Sequence, residues 1–197
     1  MGLILRHCAG MVDIETLSTR PDSTIVSIAA ILFDPFQVND VADLMNGYTF
    51  YMIVDRDSQP GSHVCPDTLA WWDRQSEAAR NRLLEDPQPI DVALRELHNF
   101  LCFRQEQSHP PAHELWANGP NFDCVILETA YSKYSKFKLP IPFMRQYDVR
   151  TTKELAWRHG GAPHIEVGVA HNALDDCVKQ ALYVQAAHVV LGITPAR

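Results

Sequence analysis

The hydrophobic positions along the chain follow two different periods. Thr24 to Phe33 (TIVSIAAILF) is apolar or β-branched almost throughout, a pattern that suits a central strand buried on both faces. Met11 to Ile14 predicts a short strand before it, and Tyr48 to Val54 (YTFYMIV) a third strand after it. Gln37 to Gly47 is a connection of moderate length, and three strands so closely connected are expected to form an antiparallel meander. Beyond them helical patterns appear. Pro66 to Leu84 predicts helical material broken near Ser76, where Ser76-Glu77 has the form of an N-cap and an acidic first turn. Pro89 to Arg104 predicts an amphipathic helix with Val92, Leu97, Phe100 and Leu101 on its apolar side.

The rest of the chain alternates between the two periods. Glu114 to Ala117 predicts a strand that ends in the turn residues Asn118-Gly119-Pro120, and Phe122 to Tyr134 predicts a helix. Arg145 to Val149 is the last expected strand. It leads into a helix capped by Thr151 or Thr152 and stopped at Gly160-Gly161. Ala162 to Ala170 is expected to be a loop, and Asn172 to about Leu191 a long helix with Leu174, Cys177, Ala181 and Val184 along one side. This order predicts an α/β protein with a mixed five-stranded sheet, made of a three-strand antiparallel meander plus two parallel strands, with helices on both faces.

Composition and charge narrow the class. The chain has 197 residues, 46% hydrophobic and 21% charged, which suits one globular domain. That domain is expected over 11–197, with residues 1–10 a leader or remnant and Met11 the candidate initiator. The stretch after Lys179 lacks charge but carries Gln180, Gln185 and His188, so it reads as a buried helix and no membrane span is expected. Leu3-Ile4-Leu5 is too short for a secretory signal. Cysteines at 8, 65, 102, 124 and 177 are odd in number and form no CxxC pair. They read as reduced thiols of a cytoplasmic protein. A net charge of −7 argues against broad electrostatic binding of duplex nucleic acid, but not against a polyanionic substrate. If carboxylates hold two dications, addition brings −7 to −3.

Several acidic residues carry candidate chemistry. Asp13 and Glu15 lie one residue apart at the end of the first strand, so period two places both on one face. At about 5 Å and an effective dielectric near 20 they repel by roughly 3 kcal/mol. Such a pair needs a counter-cation, a shared proton or full solvation, and an exposed strand end would supply the last of these. Taken singly, Asp123 is an acid in a first helical turn, Asp175 and Asp176 are acids near the start of the last helix, and His171 is a surface histidine. His109 and His113 are separated by Pro110-Pro111, which prevents a helical zinc site. Trp71 and Trp72 could stack on bases, although core packing is the commoner use of such a pair.

Taken together, these signals change meaning. Asp13-Ile14-Glu15-Thr16 (DIET), Asn121-Phe122-Asp123 (NFD) and the HNALDD run from His171 to Asp176 occur in this order, each on the fitting element. The stretches DIETL, WANGPNFD and HNALDD resemble motifs of the DEDDh superfamily of 3′–5′ exonucleases, and the element order resembles its ribonuclease H-like fold over nearly the whole chain. The longer string DIETLSTRPDSTIVSIAAILFDP, with Leu69-Ala70-Trp71-Trp72, is similar to a branch of phage and prophage exonucleases and a bacterial adenine-preferring exoribonuclease.

This resemblance implies two divalent cations, Mg²⁺ or Mn²⁺, held by Asp13, Glu15, Asp123 and Asp176, with Asp13 bridging. It implies His171 as general base, for which histidine's ordinary pKa near 6.5 is suited. It also implies contacts to the terminal nucleotide from Thr16 and from Leu17, the latter as a wedge, and from Asn118, Asn121 and Phe122. The expected activity is metal-dependent release of nucleoside 5′-monophosphates from the 3′ ends of single-stranded DNA or RNA, by a homodimer. The alternatives are an oligoribonuclease or RNA-end trimming enzyme, and a catalytically inactive nucleic-acid-binding module.

Overall fold

The computed structural model describes residues 4–102, 109–161, 164–169 and 171–195. Five strands make one sheet: β1 (Ala9–Thr16), β2 (Ile25–Phe33), β3 (Tyr48–Ile53), β4 (Glu114–Ala117) and β5 (Gln146–Asp148). Their spatial order is β3-β2-β1-β4-β5. The pairs β1–β2 and β2–β3 are antiparallel, and β4 lies parallel to both β1 and β5. This is the expected meander extended by two parallel strands. Among the described residues seven α-helices accompany the strands: α1 (Val41–Met45), α2 (Pro66–Asp73), α3 (Glu77–Arg82), α4 (Ile90–Leu101), α5 (Asp123–Tyr134), α6 (Val149–Arg158) and α7 (Ala173–Leu191).

The unbroken apolar run of β2 reflects its position, since every one of its residues is buried. Ile28, Ala30 and Leu32 join Val12 and Ile14 in a core with Leu94, Leu97 and Leu101 of α4 and Ile126 and Leu127 of α5. Ala29, Ile31 and Phe33 join Met11 in a second core with Cys177, Val178, Ala181 and Val184 of α7. Two faces, each covered by helices, make both registers of a central strand hydrophobic. On β1 the alternation breaks where it matters for function. Asp13 and Glu15 continue the Met11 side, so they point toward α7 and away from the core under α4 and α5.

Several boundaries differ from the sequence reading, for local physical reasons. β1 starts at Ala9, two residues before Met11, so the end of the expected leader is part of the sheet: Ala9 pairs with Phe33 and Gly10 with Leu32. Glycine weakens a strand by propensity, but position 10 has no room for more. A Cβ there would sit 2.9 Å from Leu101 Cδ2 and 3.1 Å from Leu115 Cδ1. The 37–47 connection contains the short helix α1, closed by a capping box between Asp40 and Asp43. α4 ends at Leu101, and the expected continuation to Arg104 lies outside the described residues.

The cap of α6 is Asp148, not Thr151 or Thr152. Its carboxylate accepts from Arg150 N, Thr151 N and Thr151 Oγ1. β5 runs into α6 without a linker, so the last strand residue becomes the N-cap. Ser76 caps α3 as expected, accepting from Ala79 N at 3.2 Å. Among the described residues no cysteine forms a disulfide. Among the described residues no helix is long and apolar enough to cross a membrane.

Candidate active site

Three elements bring the acidic residues to one end of the sheet. β1 carries Asp13 and Glu15 to its C-terminal end, where the pairing with β2 is irregular between Glu15 and Thr16. The turn after β4 starts α5 beside them. There Gly119 has φ +114°, a conformation that favours glycine, and a Cβ on it would stand 3.1 Å from an Arg150 guanidinium nitrogen. This turn delivers Asp123, which is buried and accepts a hydrogen bond from Ile14 N at 3.3 Å. α7 delivers Asp176 from its first turn. Asn172 fixes that turn by accepting from Leu174 N and Asp175 N at 3.1 and 3.3 Å.

His171 precedes this cap. It has φ +65°, an uncommon conformation for a side-chain-bearing residue, and its backbone N–H donates to Asp176 Oδ2 at 3.1 Å. The ring meets Trp71 edge-on, with centroids 4.7 Å apart. One ligand atom from each of Glu15, His171 and Asp176 falls within 4.8 Å of the others. Asp175, next in sequence, is used structurally: its Oδ2 accepts from Val169 N at 2.9 Å.

The proton affinities of the carboxylates record their crowding. Burial, followed by the charges of Asp123, Glu15 and Asp176, holds the Asp13 carboxyl well above the usual range, against a donation from Gln180. Glu15 is pushed up to about 9 by burial and by Asp176 and Asp123. Asp123 is pushed up to about 7 by burial, opposed by the Ile14 N–H, its own N–H and the charge of Arg150. Burial also raises Asp176, against the His171 N–H and the charges of His171 and Lys179. Among the described residues none of the four carboxylates forms an ion pair. Four such groups with only oxygen donors form a set suited to hard divalent cations, whose charge would relieve the repulsion.

Beside the cluster lies a groove of about 480 Å³, lined by Glu15, Thr16, Thr68, Trp71 and Phe122 among others. Phe122 also packs against the α4–α5 core. Trp72 is buried and donates Nε1–H to Thr16 O at 2.9 Å, so the two tryptophans divide their work: Trp72 fixes the end of β1, and Trp71 faces the groove. Leu17, expected to meet the terminal nucleotide, is buried in this structure. It is 4% exposed and packs with Val26, Trp72 and Ala79 beneath the groove. Asn118 and Asn121 are exposed on the turn before α5, and Asn118 O accepts from Arg150 Nη2 at 2.9 Å. Sequence reasoning missed Gln180, whose Nε2 donates to Asp13 Oδ1 at 2.7 Å. A polar residue on the buried side of an otherwise apolar helix was the available signal.

A family model described as the 3′–5′ exoribonuclease Rv2179c-like domain matches residues 8–188. The chain belongs to this family. It is accordingly a 3′–5′ exonuclease, a hydrolase of phosphodiester bonds. An exodeoxyribonuclease of Enterobacteria phage T4 is 26% identical over 201 residues, covering 90% of this chain and 87% of the phage protein.

Two solved structures show the same fold. The zinc-bound complex of E. coli exonuclease I with single-stranded DNA superposes with a TM-score of 0.65 at 12% identity, covering 95% of this chain. Cell-death related nuclease 4 superposes with a TM-score of 0.60 at 15% identity, covering 94%. The chain spans 41% of the first of these proteins and 64% of the second. The ribonuclease H-like fold is thus the common frame.

Proposed function

We propose that this exonuclease removes nucleoside 5′-monophosphates one at a time from the 3′ ends of single-stranded nucleic acid, with two divalent cations, Mg²⁺ or Mn²⁺, held by Asp13, Glu15, Asp123 and Asp176. The observation that carries the reading is the convergence of four partly or fully buried carboxylates from β1, α5 and α7, each with its proton affinity raised. When bound, such ions lower the pKa of an attacking water and stabilise charge on the leaving 3′ oxygen. An inactive binding module has no need of this costly arrangement.

The chain's own residues do the rest. His171 is the proton acceptor. Its ring stands against Trp71 at the lip of the groove, close to Glu15 and Asp176, where it can take a proton from an attacking water. The groove receives the terminal nucleotide. Phe122 and Trp71 offer faces to the base and sugar, and the backbone of Glu15-Thr16 is held rigid by the Trp72 bond. Asn118 and Asn121 stand on the adjoining turn, where they can meet the sugar-phosphate. Relatives named for RNA and for DNA fit this description equally, because these contacts address the end of a strand.

The test is a time course on 5′-labelled single strands of RNA and DNA, 2 to 20 nucleotides long, with Mg²⁺ or with a chelator. A ladder shortening by single nucleotides from the 3′ end, and absent with chelator, is the expected result. Cleavage within the strand, or equal cleavage in chelator, would overturn the reading. Preference for dinucleotides over longer strands would assign the protein to oligoribonuclease-like trimming.

A further inference from the structure

The chain's cations are unevenly placed. Seven of its 17 Lys and Arg residues fall between Lys133 and Arg158, with only Asp148 and Glu154 of its 24 acids. Helix α6 closes this stretch. Arg150, Lys153, Glu154, Trp157 and Arg158 are exposed and follow helical spacing, so they form one stripe. A groove of about 800 Å³ runs along it, walled by these residues, His164 and Tyr183 of α7.

One end of the stripe abuts the acidic cluster. Arg150 donates to Asn118 O, and its charge lowers the proton affinity of Asp123. Farther along, Lys153 Nζ stands 4.2 Å from the Tyr183 ring centroid, and Arg158 pairs with Glu154 at 2.8 Å on the exposed rim. Trp157 is 67% exposed. It has no ring partner among the described residues. From Arg150 to Arg158 the stripe is about 12 Å long at the helical rise.

We propose that this groove holds the single strand upstream of the nucleotide being removed, with Lys153 and Arg158 facing phosphates and Trp157 stacking on a base. The inference rests on the exonuclease reading above and adds to it a path for the rest of the strand. A chain of net charge −7 needs a local basic track to hold a polyanion beside a carboxylate cluster. An exposed indole flanked by cations supplies the stacking platform and backbone neutralisation that sequence-tolerant single-strand binding requires. Arg150, held at Asn118 O, joins this track to the turn that starts α5.

The experiment compares kcat/KM for a 12-mer and a dinucleotide of the same nucleic acid, with Mg²⁺, at several salt concentrations. The wild type should favour the 12-mer. Trp157→Ala should cut this 12-mer to dinucleotide ratio by about tenfold, the loss of one stacking contact, and Trp157→Phe should restore most of it. Lys153→Ala should also lower the ratio and reduce the salt slope of the 12-mer by about 0.7 per lost phosphate contact, while Trp157→Ala leaves that slope in place. Melting curves check that each variant is folded.

Unchanged ratios in folded variants of an active enzyme would overturn the groove assignment while leaving the exonuclease reading intact. Unchanged ratios together with polyglutamate binding that Lys153→Ala abolishes would reassign the groove to an acidic protein segment and overturn the proposal. A wild type that cleaves neither substrate would overturn the exonuclease reading and the occupant of the groove with it.

Discussion

Gln180 of α7 donates its side-chain Nε2 to Asp13 Oδ1 of β1 at 2.7 Å, across 167 residues of sequence. The bond ties the longest helix to the acidic end of the central sheet and leaves the other Asp13 oxygen for a ligand. Gln180 Oε1 is buried and has no hydrogen-bond partner among the described residues, so the residue is positioned at some cost to stability. We expect Gln180→Leu to preserve the fold but weaken metal binding and lower turnover by about 10- to 100-fold, the usual effect of losing a group that orients a metal ligand. Calorimetric titration with Mn²⁺ and a kinetic assay would separate this from unfolding.

Asp13→Asn should show the opposite effects on stability and activity. The amide keeps an oxygen for Gln180 and cannot ionise, so it escapes the cost that burial and the charges of Asp123, Glu15 and Asp176 impose on the Asp13 carboxylate. Without metal the variant should melt higher than wild type, by about 2–4 °C for each kcal/mol relieved, and hydrolysis should be lost. Scanning calorimetry in chelator checks the first outcome. A lower melting temperature would show that the carboxylates do not strain the metal-free protein.

The pH dependence of stability follows in sign from the same shifts. Glu15 and Asp123 have folded-state pKa values raised to about 9 and about 7 from ordinary values of 4.5 and 3.8. A raised carboxyl favours the folded state most below its unfolded pKa. That contribution is lost as pH rises through the folded value. Metal-free protein should therefore lose melting temperature between about pH 5 and pH 9, and Mg²⁺ should reverse the loss most strongly at the alkaline end. Thermal melts across this range, with and without Mg²⁺, measure both.

His171→Ala should reduce turnover by about 10²- to 10⁴-fold, the range for losing a positioned general base. Binding of Mn²⁺ to the carboxylates should persist. Equal loss of metal binding and turnover would instead make His171 a ligand, for which its distance to Glu15 and Asp176 also leaves room.

Trp72→Phe tests the support beneath the groove. It keeps an aromatic ring in the cluster with Leu17, Val26 and Ala79 but removes the Nε1–H bond to Thr16 O. Leaving that carbonyl unpaired should cost about 1–3 kcal/mol. It should also raise KM more than it lowers kcat, because the backbone it holds lines the groove.

Much of the sheet was legible in the sequence because its signals are strong and local. β2 reads as central from its unbroken apolar run, and β1 shows its two-residue period at Asp13 and Glu15. Elements set by long-range packing were less legible. Gly10 reads as a poor strand residue until Leu101 and Leu115 are seen against its Cα, and Asp148 is hidden as a cap because β5 and α6 share no linker. At the site, the order of the DIET, NFD and HNALDD stretches pointed to the five polar residues. Gln180 and the burial of Leu17 depend on helix rotation and on the path of the chain after β1, which no short motif encodes.

In the proposed mechanism Asp13, Glu15, Asp123 and Asp176 together hold divalent cations at the 3′ end of a strand. Anomalous diffraction from crystals soaked in Mn²⁺ and a nucleoside 5′-monophosphate tests it most directly. Two manganese peaks bounded by these four carboxylates are expected, with the phosphate between them and the base in the groove beside Trp71 and Phe122. Manganese bound elsewhere, or absent from this cluster in protein that still degrades single strands, would contradict it.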